Sequence, residues 1–268
     1  MKITFKGIVA VVIITVFFYT ACKKAHNTPV VRKIATEQQV AGVIASDIAA
    51  SLAAKFGGVS LKDGIKPPSV LALKNNRKVV NSISPLCGFT VDTTVTYNSI
   101  SGGSSFTVSG KFVFTFTCSL ASPFPDGYIV STNFTSSGTT PYYSFIDTIA
   151  QHYVVQSLVP QDTLVSLDGT LISFDSFKYN KSAFVDTTFV PNPVFQNQNY
   201  VLTGLKVDVP ASLDVISGTA TFITNGNNSF GSWLYTGTIL FLGNHKALIT
   251  INGIPYNANL LTGTVTPA

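Results

Sequence analysis

The sequence predicts a mainly β protein: an antiparallel meander, built as a sheet or sandwich, preceded by one amphipathic α-helix. Three observations carry this. From Cys87 onward, short runs rich in Val, Ile, Thr, Phe and Tyr are punctuated by Gly, Asn, Asp and Pro, as strands are by turns. Residues 36–58 instead repeat apolar side chains at every fourth position, a helical period. The 268 residues are 46% hydrophobic and only 11% charged, which supplies a core and excludes a disordered chain.

The first element, residues 1–21, reads MKITFKGIVAVVIITVFFYTA. Lys2 and Lys6 precede an apolar run from Ile8 to Tyr19, and the small Ala21 stands just before Cys22. That order is a secretory signal peptide. The run is shorter than the roughly 20 residues that a membrane-spanning helix needs. Thr20-Ala21-Cys22-Lys23-Lys24 resembles the cleavage site of bacterial lipoproteins, although Tyr19 stands where that family usually has Leu. The resemblance implies cleavage before Cys22, acylation of its thiol and new amine, and stable membrane anchoring at about 0.8 kcal/mol per buried methylene. Lys23, rather than Asp, after the cysteine implies sorting to the outer membrane, with the periplasmic face and the cell surface both open. Residues 22–35 follow as a basic tether.

The chain has three cysteines, Cys22, Cys87 and Cys118. With Cys22 lipidated an even pair remains, and in an exported domain it is expected as a disulfide. Closing a loop of about 30 residues contributes ~3–4 kcal/mol in the chain-entropy account. No CxxC and no neighbouring His accompany these cysteines, so neither a metal nor another cofactor is expected.

The helix at 36–58 opens on a capping box, Thr36 with Gln39. Val40, Ile44, Ile48, Leu52 and Phe56 form its stripe, and Gly57-Gly58 its stop. That stripe either packs on the protein's own sheet or acts as a lid. Residues 59–85 read as a connector. Basic charge is concentrated before residue 86, whereas residues 86–268 hold five lysines against nine aspartates. A folded body of negative sign is not a nucleic-acid binder.

In the β-rich domain, 86–268, the run Lys111–Cys118 alternates cleanly. It sends Phe112, Phe114, Phe116 and Cys118 to one face, where Cys87 must also lie. Asn225-Gly226, Gly243-Asn244 and Asn252-Gly253 read as hairpin turns in a closing meander. Polar-Gly pairs such as Asp168-Gly169, Thr203-Gly204 and Thr236-Gly237 read as strand openings. Features recurring at an offset of 94 residues (Val91–Thr94 with Val185–Thr188, Leu167–Thr170 with Leu261–Thr264) suggest two diverged modules, 87–180 and 181–268.

Chemistry is sparse. Glu occurs once, at Glu37, and His only at 26, 152 and 245. There is no GxSxG, HExxH, P-loop or GxGxxG. Gly102-Gly103-Ser104-Ser105 lacks the lysine of a phosphate cradle and reads as a hairpin loop. Most of the aspartates sit beside Gly, Thr or Pro, as turn residues do. An Asp-based hydrolase would need two of them about 5–10 Å apart across a cleft. The expected role is therefore a non-enzymatic, lipid-anchored binding or structural module.

Three kinds of partner besides the membrane fit: a hydrophobic ligand, a glycan or an envelope protein. For the first, Val40, Ile44, Ile48, Leu52 and Phe56 would close over Phe112, Phe114 and Phe116, an outline that resembles periplasmic lipoprotein carriers. For the second, Trp233, Tyr235, Tyr142, Tyr143 and Tyr200 could stack on sugar. Finally, Asp-Thr-x triplets place Thr93, Thr148, Thr163 and Thr187 in a pattern that resembles the O-glycosylation acceptor of exported Bacteroidota proteins. With the leader, this implies an outer-membrane lipoprotein of that group.

Overall fold

The computed structural model describes residues 35–54, 59–65, 87–119, 124–179, 194–209, 213–228 and 230–268. Among them one α-helix, α1 (Glu37–Leu52), precedes eleven strands. These are β1 (Thr90–Ser101), β2 (Ser104–Thr117), β3 (Gly127–Thr139), β4 (Tyr143–Ser157), β5 (Leu164–Tyr179), β6 (Val194–Asp208), β7 (Asp214–Asn228), β8 (Gly231–Gly243), β9 (Lys246–Ile251), β10 (Ile254–Asn259) and β11 (Val265–Pro267). They form a single antiparallel sheet in strict chain order, the meander that the alternation predicts.

The sheet curls around α1. Gln151 of β4 donates to the Ser51 carbonyl at 3.0 Å, and Ser173 of β5 donates to Asp47 at 2.9 Å. On the other side the Tyr235 hydroxyl of β8 donates to the Ala35 carbonyl, and Gln38 to the Val265 carbonyl of β11. A helix bonded by β4, β5 and β11, with the residue just before its cap held by β8, must lie inside a curved sheet. Bulges help it bend, at Leu167/Gly169 between β5 and β6, at Thr203/Lys206/Val207 between β6 and β7, and at Phe241/Gly243 between β8 and β9.

The capping box forms as predicted: Gln39 N–H donates to Thr36 Oγ1, and Thr36 N–H to Gln39 Oε1. Val40, Ile44, Ile48 and Leu52 are at most 2% exposed. Burial is not confined to that stripe, because Ala41, Ala45, Asp47, Ala50 and Ser51 are buried too. A sheet that surrounds the helix leaves no broad solvent face. Phe56 and Gly57-Gly58 lie outside the described residues. Val59, Leu61 and Ile65, in the segment read as a connector, join the core.

Four sequence expectations change. The Cys87–Cys118 disulfide is present, with Cα atoms 5.6 Å apart. It ties the open end of the β1–β2 hairpin instead of lying in the core: Cys118 falls just past the end of β2, where alternation stops, and Cys87 is exposed. Asn225-Gly226 is no turn but part of β7, whose hairpin comes after Asn228. Its glycine leaves room for the Trp233 indole from β8, which an added Cβ would strike. The Gly of Asp168-Gly169, Thr203-Gly204 and Thr236-Gly237 sits inside long strands, at bulges or under a neighbouring ring. Gly237, for example, lies against the Phe222 ring. The segments Leu167–Thr170 and Leu261–Thr264 serve different backbone roles, a bulge in β5 and the turn before β11; Val185–Thr188 lies outside the described residues.

Candidate functional site

The inward face has two chemically distinct ends, visible by following cross-strand neighbours. One rung, Phe114–Val130–Tyr153–Gly169–Leu202–Ala220–Ile239–Ile249, is almost wholly apolar. Phe112, Phe114 and Phe116 are at most 1% exposed there, with ring centroids 4.8–6.0 Å apart. They fill that end with contacts of core quality.

Toward the other strand ends the rungs turn polar. Ser173, Gln198, Thr224 and Tyr235 are successive neighbours across β5–β8, and Asp147, Asp175, Gln196, Gly226 and Trp233 form the next rung across β4–β8. Asp47 reaches these rungs from α1, placed there by the helical period that puts Ile44 and Ile48 beside it. Ser173 Oγ donates to Asp47 at 2.9 Å and lies equally close to Gln198 Oε1, which also accepts from the Tyr200 hydroxyl at 3.0 Å. A serine hydroxyl has one proton to give. When Asp47 is protonated its own O–H can donate to Ser173, and Ser173 then serves Gln198; when Asp47 is charged, Ser173 must serve the carboxylate.

Burial pushes Asp47 up from 3.8 to about 6, against the hydrogen bond that Ser173 donates to it. Asp147 rises to about 7, through burial and the Asp47 charge, while its hydrogen bond with Asp175 works the other way. Asp175 is raised well above the carboxylate range by burial, by Asp47 and by Asp147. Asp147 and Asp175 are direct cross-strand partners in side-chain contact, sharing a proton between them. Among the described residues the salt bridges are Lys111–Asp92 and His245–Asp214, and neither reaches this cluster.

Among the described residues seven buried side-chain polar atoms have no hydrogen-bond partner within the protein; four lie here, Gln196 Nε2, Gln198 Nε2, Thr224 Oγ1 and Trp233 Nε1, and the others are Ser51 Oγ on α1 and the Tyr128 and Tyr153 hydroxyls toward the apolar end. Leaving each unmade costs about 1–3 kcal/mol. Beyond the acids, Phe145 and Phe177 are cross-strand partners and Tyr143 stacks on Phe177 at 4.9 Å, all half-buried. Among the described residues no three His, Cys, Asp or Glu side chains are placed to hold a metal ion.

The sequence-predicted residues divide as follows. Val40, Ile44, Ile48 and Leu52 face the sheet interior, and Phe112–Phe116 the apolar end. Of the aromatic set, Tyr200 on β6 and Trp233 and Tyr235 on β8 share the inward face but stand on different rungs, with Tyr143 nearer the strand ends; Tyr142 stands exposed in the β3–β4 turn. Thr163 is exposed before β5, Thr148 is half-buried and bonded to Thr135, and Thr93 is half-buried on β1. Cys22, His26 and Thr187 lie outside the described residues. His152 is bonded to Ser131 on an outward position, and His245 sits in the β8–β9 turn, where its backbone N–H and that of Asn244 donate to Asp214.

Sequence reasoning missed Asp47, Asp147 and Asp175 by taking aspartates as turn residues. Their positions were readable: Asp147 shares the parity of Ile149 and Tyr153, Asp175 that of Leu171 and Ser173, and Asp47 sits between Ile44 and Ile48. No protein-family model matches this chain, and no curated protein or solved structure matches it either.

Proposed function

We propose that this chain is a non-enzymatic, lipid-anchored binding module of the bacterial outer membrane that takes its ligand at the polar end of the curled sheet. The observation that carries the reading is the group of four buried, unpartnered polar atoms on β6–β8. A module that only had to stay folded would be better served there by apolar side chains of similar volume. The contact between Asp147 and Asp175 also favours binding over glycoside hydrolysis, because a glycosidase keeps its two carboxyls about 5 Å or more apart around the bond it breaks. The leader, Cys22 and the basic tether supply the anchor. Replacing Cys22 by Ser should move the protein from the membrane fraction to the soluble periplasmic fraction; retention in washed membranes would defeat the anchoring proposal.

A carrier of a hydrophobic ligand is the second reading. It is favoured by a mostly apolar crevice of about 90 Å³ between α1 and the sheet, lined by Ile48, Leu52, Val215 and Leu260 together with Lys62 and His245. That volume holds only a few methylenes, so a lipid chain would require α1 to move. Native mass spectrometry of protein extracted from membranes distinguishes the two: an added mass removed by organic solvent belongs to the carrier.

A further inference from the structure

The geometry points to a neutral polyhydroxylated compound, a sugar or a cyclic polyol, as the ligand of the polar end of the sheet. This rests on the reading of that end as a binding site, and it follows from what the unsatisfied groups require. Gln196 Nε2, Gln198 Nε2 and Trp233 Nε1 are N–H donors without an acceptor, and Thr224 Oγ1 is free to donate or accept. Gln198 and Thr224 are wholly buried, and Gln196 and Trp233 at most 9% exposed, so bulk water does not serve them. Gln196 is the cross-strand neighbour of Asp175, and the other end of the Gln198 amide joins the Ser173–Asp47 network. The donors therefore stand beside the acids, not apart from them.

Each simple ligand class leaves something unpaired. An anion would face Asp47, Asp147 and Asp175 with no cation among the described residues to help, since the lysines on the described strands (Lys111, Lys178, Lys206 and Lys246) are all exposed. An amine or a metal cation would satisfy the acids but give the three N–H groups no acceptor. A hydrocarbon would satisfy none. A hydroxyl donates and accepts at once, so a ring carrying several hydroxyls can donate to the carboxyl oxygens and accept from the amides and the indole. The Trp233 ring, together with Phe145 one step toward the strand ends, offers apolar surface of the kind that receives the C–H side of such a ring.

Trp233 is the only tryptophan in the chain, so its fluorescence reports on this site alone. The full chain in polyoxyethylene-ether micelles, which carry no sugar headgroup, is titrated separately with D-glucose, N-acetyl-D-glucosamine, myo-inositol, spermidine and oleate. The expected result is a saturable change in Trp233 emission with at least one of the three polyols, at a Kd of about 1 mM or tighter. Thr224→Val and Gln198→Leu should each weaken that binding about tenfold while the far-ultraviolet β signal is kept; two variants guard against one failing to fold. A response to spermidine or oleate alone overturns the polyol inference and leaves the binding-module proposal standing. No response to any of the five, confirmed by calorimetry, overturns both.

Discussion

Replacing Asp47 by Asn tests whether a carboxyl held inside the sheet sets the protein's response to pH. Asn keeps the shape, and its side-chain amide can still engage Ser173, but it cannot ionise. Asp47 is raised from 3.8 to about 6 in the folded protein, mainly by burial. The folded value lies above the unfolded one, so across that window the unfolded chain binds fewer protons and stability falls as pH rises. The penalty is small near pH 4 and reaches about 3 kcal/mol at pH 8, because each pH unit separating the unfolded from the folded value contributes about 1.4 kcal/mol. Asp47→Asn lacks this penalty. The stability of the variant relative to the native protein should therefore grow by about 2 kcal/mol between pH 4 and pH 8. In thermal melts with the disulfide intact this is a relative gain of roughly 4–8 °C for a domain of this size. The difference between the two pH values cancels any fixed effect of the substitution itself. A gap that stays constant with pH, or a native protein that gains on the variant as pH rises, would refute the account of Asp47 as a desolvated acid.

Three further outcomes follow from neighbouring observations. In the same variant the titration midpoint of Asp147, followed by side-chain carboxyl NMR, should drop below its native value of about 7, because the Asp47 charge is one of the causes that raise it; an unmoved midpoint would place the two groups out of electrostatic reach. Replacing both Cys87 and Cys118 by Ser should cost ~3–4 kcal/mol in urea unfolding and accelerate amide exchange in β1 more than in β5, since the bond ties the edge hairpin; uniform acceleration would count against that local role. Gly226→Ala should displace the Trp233 ring, whose edge occupies the place of the new Cβ, lowering stability by ~1–3 kcal/mol and shifting the indole emission; unchanged emission would mean that the ring does not lie over Gly226.

Where a single local rule governed, the sequence was readable. The period of Val40, Ile44, Ile48 and Leu52 and the Thr36–Gln39 box marked α1, and the alternation of Lys111–Cys118 marked β2 with its buried phenylalanines. The even pair of cysteines marked the disulfide. What stayed hidden depends on which strands become neighbours. Asn225-Gly226 has the letters of a turn, but Gly226 was needed beneath a tryptophan seven residues later, and that tertiary demand overrode the local preference. The three acids were hidden for the same reason. Asp47, Asp147 and Asp175 lie on separate elements: the β4–β5 register pairs Asp147 with Asp175, and the curl of the sheet around α1 brings Asp47 to them. A further cue went unused, because each stands at a position whose periodic neighbours are apolar.

The polar end is also where the fold spends stability. At the apolar end phenylalanines and aliphatic side chains meet across most of the strands and their burial favours the folded state, with the unpartnered Tyr128 and Tyr153 hydroxyls as its exceptions. A few residues along the same strands, buried carboxyls with raised proton affinity sit beside amide, hydroxyl and indole groups that have no partners. Both costs act against folding: charged Asp47 weakens the native state as pH rises, and every unpaired N–H adds its desolvation penalty. Both are relieved by one event, the arrival of groups that donate to the carboxyls and accept from the N–H groups. A ligand that does this binds the folded chain and not the unfolded one, so occupancy should raise stability with ligand concentration. It should also flatten the pH response of Asp47, because hydrogen bonds donated to the carboxylate favour the charged form. A melt series with a polyol at pH 8 then reports binding and titration together, and a ligand that raised the melting temperature equally at pH 4 and pH 8 would be acting away from the acids.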